Sequence, residues 1–271
     1  MTSVRVGGIV GLAVLLSVPV AAQWFDYPTA GVPRTPAGKP DLFAPAPRAA
    51  DGKPDLSGVW EMEHNLDMTP SGVGCRPVSL EFRNIGSSLE RGLPYQPWAA
   101  DVAKARRADP RLNPLTRGLP IGIVRLHTHP TFRRVMQTAG MVVILSEYSS
   151  TFRQIFTDGR PLPTDPNPAW YGYSTGHWDG ETLVVTTTGF HEDVWLDSAG
   201  SPLSETATIV ERFHRVNYGT LHIELTVDDP KVYTKPWTVT LTQVIALDTE
   251  LLETFFDNEK DLQHMQPITT R

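Results

Sequence analysis

One stretch of the sequence, residues 170–191 (WYGYSTGHWDGETLVVTTTGFH), restricts the possible folds more than any other. Two β-forming runs flank Asp179-Gly180, a dipeptide that favours positive φ and predicts a two-residue type I′ hairpin turn. In that register His177 lies opposite Thr182, because side chains alternate between the two faces of a strand. Each face then carries aromatic, hydroxyl and histidine side chains, whereas a sandwich strand pair has one apolar and one charged face. The pattern favours the wall of a small barrel with a ligand cavity inside.

Further strand-like runs, each bounded by turn signals, follow along the second half of the chain. They cover residues 132–137, 141–148, 151–157, 206–216, 221–227, 237–247 and 251–256. Short strands with a turn at each junction predict a mostly β fold, an antiparallel meander that closes into a calycin- or lipocalin-like barrel. Closing the sheet also removes exposed strand edges, which otherwise promote aggregation.

The chain divides into three parts by composition. Residues 1–22 predict a signal peptide, with an apolar run too short to span a bilayer and small residues before a cleavage site at Gln23. Residues 23–50 are rich in Pro and Ala and predict an extended arm. Residues 51–271 predict a single β-barrel domain, in which the partly helical excursion 61–125 forms a lid.

A short duplication lies at the boundary between the arm and the domain, where AGKPDLF at 37–43 is echoed by DGKPDLS at 51–57. We interpret it as too short for a structural repeat.

Charge and cysteine content narrow the partners and the compartment. The formal net charge is −6 without a basic cluster, which argues against nucleic acid and anionic membrane surfaces as partners. Together with the signal peptide, this predicts a periplasmic or secreted protein without stable membrane insertion. Cys75 is the single cysteine, so no intrachain disulfide forms. The sequence does not predict an oligomeric state.

Several phrases together are similar to those of a family of secreted bacterial proteins found in Acidobacteria and Proteobacteria. They are DGKPDLSGVW, GLPYQPWA, MVVILSE, FRQIFTDGRPLP, GHWDGETLVVTTTGF, ERFHR and DDPKVYTKPWTV. The similarity extends from about Asp51 to Met265 and implies an exported protein; the family has no established activity and therefore implies no reaction.

The start of the first strand, Gly58-Val59-Trp60, also resembles the Gly-x-Trp opening of lipocalins and other calycins. In those barrels the Trp packs on an Arg of the last strand, and here the predicted last strand, 251–256, has no Arg.

Three residues are candidates for acid–base chemistry. His177 shares a face with two tyrosines that can orient an imidazole or a substrate oxygen. Glu147 ends the apolar run MVVILSE, where burial would raise its pKa. Glu211 lies among apolar neighbours, which predicts a buried carboxylate that needs a partner. For His177 the alternative is a structural histidine at a strand end.

A second group of residues predicts ligand binding. Arg153, if it points into a cavity, can hold a carboxylate with two hydrogen bonds. The remaining candidates are aromatic or histidine side chains predicted to line a pocket or close the barrel end: Tyr171, Tyr173, His191, Tyr233 and Trp237.

His127 and His129 form the one metal-like pattern. On a strand these two imidazoles share a face, and His177, His191 or Glu147 would supply a third ligand. The alternative, which we favour, is a polar loop pair near the barrel mouth, so we expect no metal and no cofactor. The motifs of phosphate loops, serine hydrolases, zinc proteases and c-type cytochromes do not occur in the sequence.

These observations leave two main functional hypotheses. The first is an exported, cofactor-free acid–base enzyme (lyase, isomerase or hydrolase) acting on a small hydrophobic or aromatic compound. The second is a non-catalytic periplasmic ligand-binding or carrier protein. A lumen cavity with His177, tyrosines and an Arg favours either of them. A filled core with aromatic residues outside favours a third, structural role, a β-sandwich that faces a protein partner.

Overall fold

The computed structural model describes residues 28–63 and 78–253. The predicted signal peptide, Cys75 and the second half of the predicted strand 251–256 therefore lie outside the described residues. Residues 251–253 are irregular rather than part of a strand.

The protein is a closed barrel of nine strands, which confirms the predicted mostly β class. Each strand pairs with the next along the chain, and the last pairs with the first. The strands are β1 (Gly58–Met62), β2 (Arg133–Thr138), β3 (Met141–Ser146), β4 (Thr151–Phe156), β5 (Tyr173–Asp179), β6 (Thr182–Thr188), β7 (Thr208–Arg215), β8 (Thr220–Asp228) and β9 (Trp237–Ile245).

One strand pair departs from the predicted antiparallel meander. β4 and β5 run parallel and pair only at Ile155–Ser174 and Phe156–Thr175. The connection, residues 157–172, is long enough for the crossover that parallel strands need. As a result, the first four residues of β4 have no partner on β5, and the barrel wall opens at this seam.

The β5–β6 hairpin has the predicted faces but a different turn. Asp179 pairs with Thr182, so Gly180-Glu181 is the turn and His177 pairs with Val184. Gly180 has φ +58, and Glu181 is not among the residues with positive φ, as in a type II′ turn rather than the expected type I′. Because the register moves by two residues in total, each side chain keeps its expected face.

The helices of the excursion do more than cover the barrel. They are α1 (Leu80–Arg83), α2 (Pro97–Ala108) and α3 (Ile123–Thr128), with short 3₁₀ turns at Pro110–Leu112, Pro114–Arg117 and Tyr148–Ser150. α2 lies within the excursion 61–125 that the sequence predicts to be partly helical, whereas the sequence analysis identifies no helix at α3. None of the helices in the described ranges is long and apolar enough to span a bilayer.

All six residues of α3 are buried, and the helix sends its His127 side chain into the barrel interior. Its His127 contacts Glu211 of β7, and its Leu126 carbonyl accepts a hydrogen bond from Arg133 of β2. Between His127 and the inward-facing side chains of the strands lies a void of about 10 Å³. At this place side chains fill the lumen, where we expected a ligand cavity.

Trp60, the tryptophan of the Gly-x-Trp start, lies inside the barrel. It is fully buried, and its indole N–H donates to the Leu56 carbonyl. The guanidinium of Arg215 lies 4.9 Å from the centre of the Trp60 ring. The arginine that packs on this tryptophan thus comes from β7 and not from the last strand.

The duplicated segment does form a structural repeat, contrary to our interpretation. In the first copy Arg34 forms a β-bridge with Pro40, and its guanidinium donates a hydrogen bond to the Gly38 carbonyl. In the second copy, fourteen positions later, Arg48 makes the same two contacts with Pro54 and Gly52. Each copy is a small hairpin closed by the same backbone hydrogen bonds. The shared Gly-Lys-Pro-Asp-Leu sequence is sufficient because the hairpin's bonds are local.

Candidate functional site

Three charged side chains meet in the centre of the barrel and form what we call the central charge cluster: His127, Arg153 and Glu211. Arg153 donates from two nitrogens to the two oxygens of Glu211, at 3.0 and 2.5 Å. Nε2 of His127 lies 2.7 Å from the first of these oxygens. Arg153 also donates to the hydroxyls of Ser174 and Thr187. All of these residues are buried.

The pKa values of Glu211 and His127 determine which members of the central charge cluster are charged at neutral pH. Burial alone would raise the pKa of Glu211, but the Arg153 charge and the hydrogen bond from His127 outweigh burial and lower the pKa to about 2. Burial lowers the pKa of His127, and the contact with Glu211 only partly offsets this. Arg153 and Glu211 are therefore an ion pair at neutral pH and His127 is neutral. The expectation that Glu211 needs a buried partner is met by Arg153.

A surface groove opens at the β4–β5 seam, directly outside the cluster. It has a volume of about 380 Å³, within the range of small-molecule pockets. Five aromatic side chains line it together with short and polar residues. This seam groove consists of Pro120, Phe152, Arg153, Gln154, Phe156, Ala169, Trp170, Tyr171, Gly172, Tyr173 and Ser174. Three of the predicted ligand-binding residues, Arg153, Tyr171 and Tyr173, thus lie along one groove.

The aromatic walls of the groove are held in place by specific contacts. Tyr173 stacks on Phe156 with ring centres 5.3 Å apart. The hydroxyl of Tyr171 donates to Thr151, and burial raises the pKa of this tyrosine. Phe152, in contrast, leaves 62% of its surface exposed. Both walls thus offer flat apolar faces in fixed orientations.

His191 supports one wall of the groove from behind. Its ring stacks on Trp170 at 4.8 Å with an angle of only 10° between the planes. Its Nδ1 accepts a hydrogen bond from the Asp193 backbone. His191 therefore contacts the groove only through Trp170 and is not part of the lining.

His177 does not lie in the barrel interior, which corrects the expectation for this residue. It is exposed on the outer face of β5, while Ser174, Gly176 and Trp178 face inward. The inward-facing residues of β6 include the fully buried Leu183 and Val185, which pair with Trp178 and Gly176 of β5. The other face of β5, which carries Tyr173 and His177, is therefore the outer one. An imidazole exposed to water has no fixed carboxylate or tyrosine partner of the kind that the acid–base hypothesis requires.

Glu147 is buried, as expected, but its carboxylate is engaged by the backbone. One oxygen accepts from the Phe132 N–H and the other from the Leu252 N–H, each at 3.0 Å. These bonds fasten the end of β3 to the start of β2 and to the segment after β9. The arrangement gives Glu147 a structural role at this position.

Tyr233 and Trp237 lie together at another place on the molecule. Their rings meet edge to face at 5.5 Å, and Tyr233 stacks on Tyr95 at the same distance. The Tyr233 hydroxyl donates to the Pro202 carbonyl. Trp237 lines an open pocket of about 580 Å³ between the 89–94 segment and the start of β9, whereas Tyr233 lies behind it. These two residues and the seam groove are separate features.

The two histidines do not share a face, which corrects the expected geometry of the metal-like pattern. His127 is in α3 and His129 caps its end, so side chains two residues apart point in different directions instead of sharing a face. His129 lies between the rings of Phe82 and Tyr148, and burial, with the charges of Arg125 and Arg133, lowers its pKa to about 3. No group of three potential metal ligands occurs among the residues described.

Sequence reasoning missed three of the aromatic residues in the groove, namely Phe152, Phe156 and Trp170. The alternation in the run TFRQIF does place Phe152 and Phe156 on the face opposite Arg153. This alternation is a signal for an outer aromatic face, but it does not show that the β4–β5 crossover leaves that face beside a groove.

Comparison with known proteins gives no further assignment: no protein-family model matches the chain, and no curated protein matches it significantly.

Proposed function

We propose that this protein is an exported binding or carrier protein that holds a small aromatic or hydrophobic molecule in the seam groove. The observation that carries the proposal is the convergence of five aromatic side chains on a 380 Å³ groove where the barrel wall is incomplete. A closed β-barrel is an architecture compatible with small-molecule binding.

The chemistry of the lining indicates the class of ligand. Flat aromatic faces favour a planar or apolar molecule, because aromatic pairs gain about 0.5–1.5 kcal/mol beyond the area that they bury. Arg153, although it contributes to the lining, uses its donors on Glu211, Ser174 and Thr187. A ligand anion would have to displace Glu211, so the groove favours a neutral ligand over a carboxylate.

The same geometry favours binding over acid–base catalysis. The three acid–base candidates lie in three different surroundings: His177 in solvent, Glu147 on backbone amides and Glu211 in the buried ion pair. General acid–base catalysis needs a titratable group within hydrogen-bond reach of the substrate. The acid–base hypothesis stays a prediction. None of its three residues is part of the seam-groove lining.

Binding is tested with 1-naphthol as a planar probe and cyclohexanol as a saturated comparison. We expect the protein to bind 1-naphthol more tightly, measured by titration calorimetry and by quenching of tryptophan fluorescence. Phe152→Ala removes one wall of the groove and should raise the dissociation constant of 1-naphthol by about tenfold. Because Phe152 is largely exposed, this change should hardly affect stability.

Phe43→Ala is the matched control, since Phe43 is 87% exposed in the arm and distant from the groove lining. It should leave the affinity unchanged. Equal affinity of the Phe152→Ala and wild-type proteins would overturn the assignment of the groove, and equal binding of the two probes would overturn the ligand class. Export is tested separately: the protein recovered from the periplasm should begin at Gln23.

A further inference from the structure

Arg125 of α3 is a buried cation with an unusual set of partners. Only 1% of its surface is exposed. One terminal nitrogen, Nη1, donates to the side-chain oxygen of Asn113 at 3.0 Å. Within residues 28–63 and 78–253, nothing accepts a hydrogen bond from its Nε or Nη2. Two donors of one guanidinium are therefore buried and unused.

The carboxylate of Asp197, which after the Tyr148 phenol acts on the charge of Arg125, does not accept a hydrogen bond from its Nε or Nη2. Asp197 acts on the charge of Arg125 from a distance, but both of its oxygens already accept hydrogen bonds from the Ile85 and Ser201 backbone amides and the Ser201 hydroxyl. Burial lowers the pKa of Arg125 to about 10, so the group remains a cation at neutral pH. A buried cation without an adjacent counter-charge is costly, and its unpaired donors are suited to bind an anion.

The vacant atoms are those that bind carboxylates elsewhere in this chain. Arg111 holds Asp109, and Arg160 holds Asp158, in each case through Nε and Nη2 together. This edge of a guanidinium matches the two oxygens of a carboxylate. We propose that the Nε–Nη2 edge of Arg125 binds the carboxylate of a small ligand, at a site distinct from the seam groove.

The surroundings of Arg125 indicate the rest of the ligand. Its guanidinium lies 5.5 Å from the Phe82 ring, which meets His129 edge to face, and His129 in turn packs against Tyr148. With a pKa of about 3, His129 is neutral and adds no charge. The neighbourhood is therefore aromatic, with Arg125 and Arg133 as its cations. It suits a carboxylate carried on an aromatic or apolar body, such as benzoate.

The test compares sodium benzoate with benzamide, a neutral molecule of nearly the same shape. Titration calorimetry of the full-length mature protein should give a dissociation constant for benzoate at least about tenfold lower than for benzamide. Arg125→Gln should remove this preference. Arg91→Gln, which changes an exposed arginine, is the matched control and should retain it.

A second readout does not depend on the folding of a variant. In wild-type protein labelled with ¹⁵N-arginine, the Arg125 Nε–H resonance, identified by its loss in Arg125→Lys, should shift with benzoate and stay in place with benzamide. Equal binding of the two probes, or a benzoate preference that survives in Arg125→Gln, would overturn the proposal. Tighter binding of inorganic phosphate than of benzoate would overturn the choice of a carboxylate.

Discussion

Replacing Glu211 by Gln removes the negative charge from the centre of the barrel and leaves Arg153 buried without its counter-ion. The structure gives a magnitude for this loss. Folding lowers the pKa of Glu211 from its ordinary value of 4.5 to about 2. At about 1.4 kcal/mol for each pH unit, the charged form of Glu211 contributes about 3 kcal/mol to the free energy of unfolding. Removing one partner of a buried ion pair typically costs a similar amount, about 3–5 kcal/mol.

The dependence on pH follows from the direction of this change. Because the pKa is lower in the folded state, the contribution is complete above about pH 4.5 and is lost as the pH falls toward 2. A protonated Glu211 resembles the Gln of the variant. The difference in unfolding free energy between wild type and Glu211→Gln should therefore shrink from about 3 kcal/mol at pH 7 to about 1 kcal/mol at pH 3.

Urea unfolding followed by tryptophan fluorescence measures this difference at each pH. Glu224→Gln is the control, because Glu224 is an exposed carboxylate of β8 and its loss should change stability by less than about 1 kcal/mol. The reasoning fails if Glu211→Gln is as stable as wild type at pH 7, or if the difference does not change with pH. The double variant Arg153→Met/Glu211→Leu should cost less than its two single changes together, since it leaves no buried charge unpaired.

Two further predictions concern the hairpin and its neighbourhood. Gly172 has φ +61, and a Cβ there would lie 2.7 Å from the Thr188 carbonyl, so Gly172→Ala should lower the unfolding free energy by more than about 2 kcal/mol. Gly180 has a similar φ of +58 but lies in open space, so Gly180→Ala should lower the unfolding free energy by only about 1 kcal/mol. If urea unfolding gives the same loss for both variants, the close contact at Gly172 is unimportant. His177→Gln should change neither stability, beyond about 0.5 kcal/mol, nor the affinity for 1-naphthol, because His177 is exposed on the outer face. A marked loss of either would return His177 to the functional site.

The barrel could be predicted because its strands carry local signals. Period-two alternation and turn residues mark β2, β3 and β6 to within a few residues of their observed bounds. The faces of the hairpin were also predictable, since a register error of two residues leaves every side chain on its own side. Tyr171, Tyr173 and Arg153 follow from this same alternation, and all three line the seam groove.

Two features could not be read from the sequence, because they depend on contacts between distant segments. α3 is six residues long and begins at Gly122, which offers no capping side chain, so it has neither the length nor the cap by which helices are recognised. The parallel β4–β5 pairing depends on the path that the 157–172 connection takes across the barrel. The residues of the two strands do not determine that path. Both omissions led to the expectation of a hollow, fully antiparallel barrel.

These two features together account for where the candidate site lies. α3 brings His127 against Glu211 in the barrel interior, where only a void of about 10 Å³ remains beside it. The short β4–β5 pairing interrupts the wall at the one place where Arg153 reaches from the central charge cluster toward the surface. The aromatic side chains beside that interruption would otherwise be exposed to water, and a bound apolar molecule would cover them. In this barrel the packed interior holds the architecture together, and the gap in the hydrogen-bonded wall is the space that the proposed ligand would occupy.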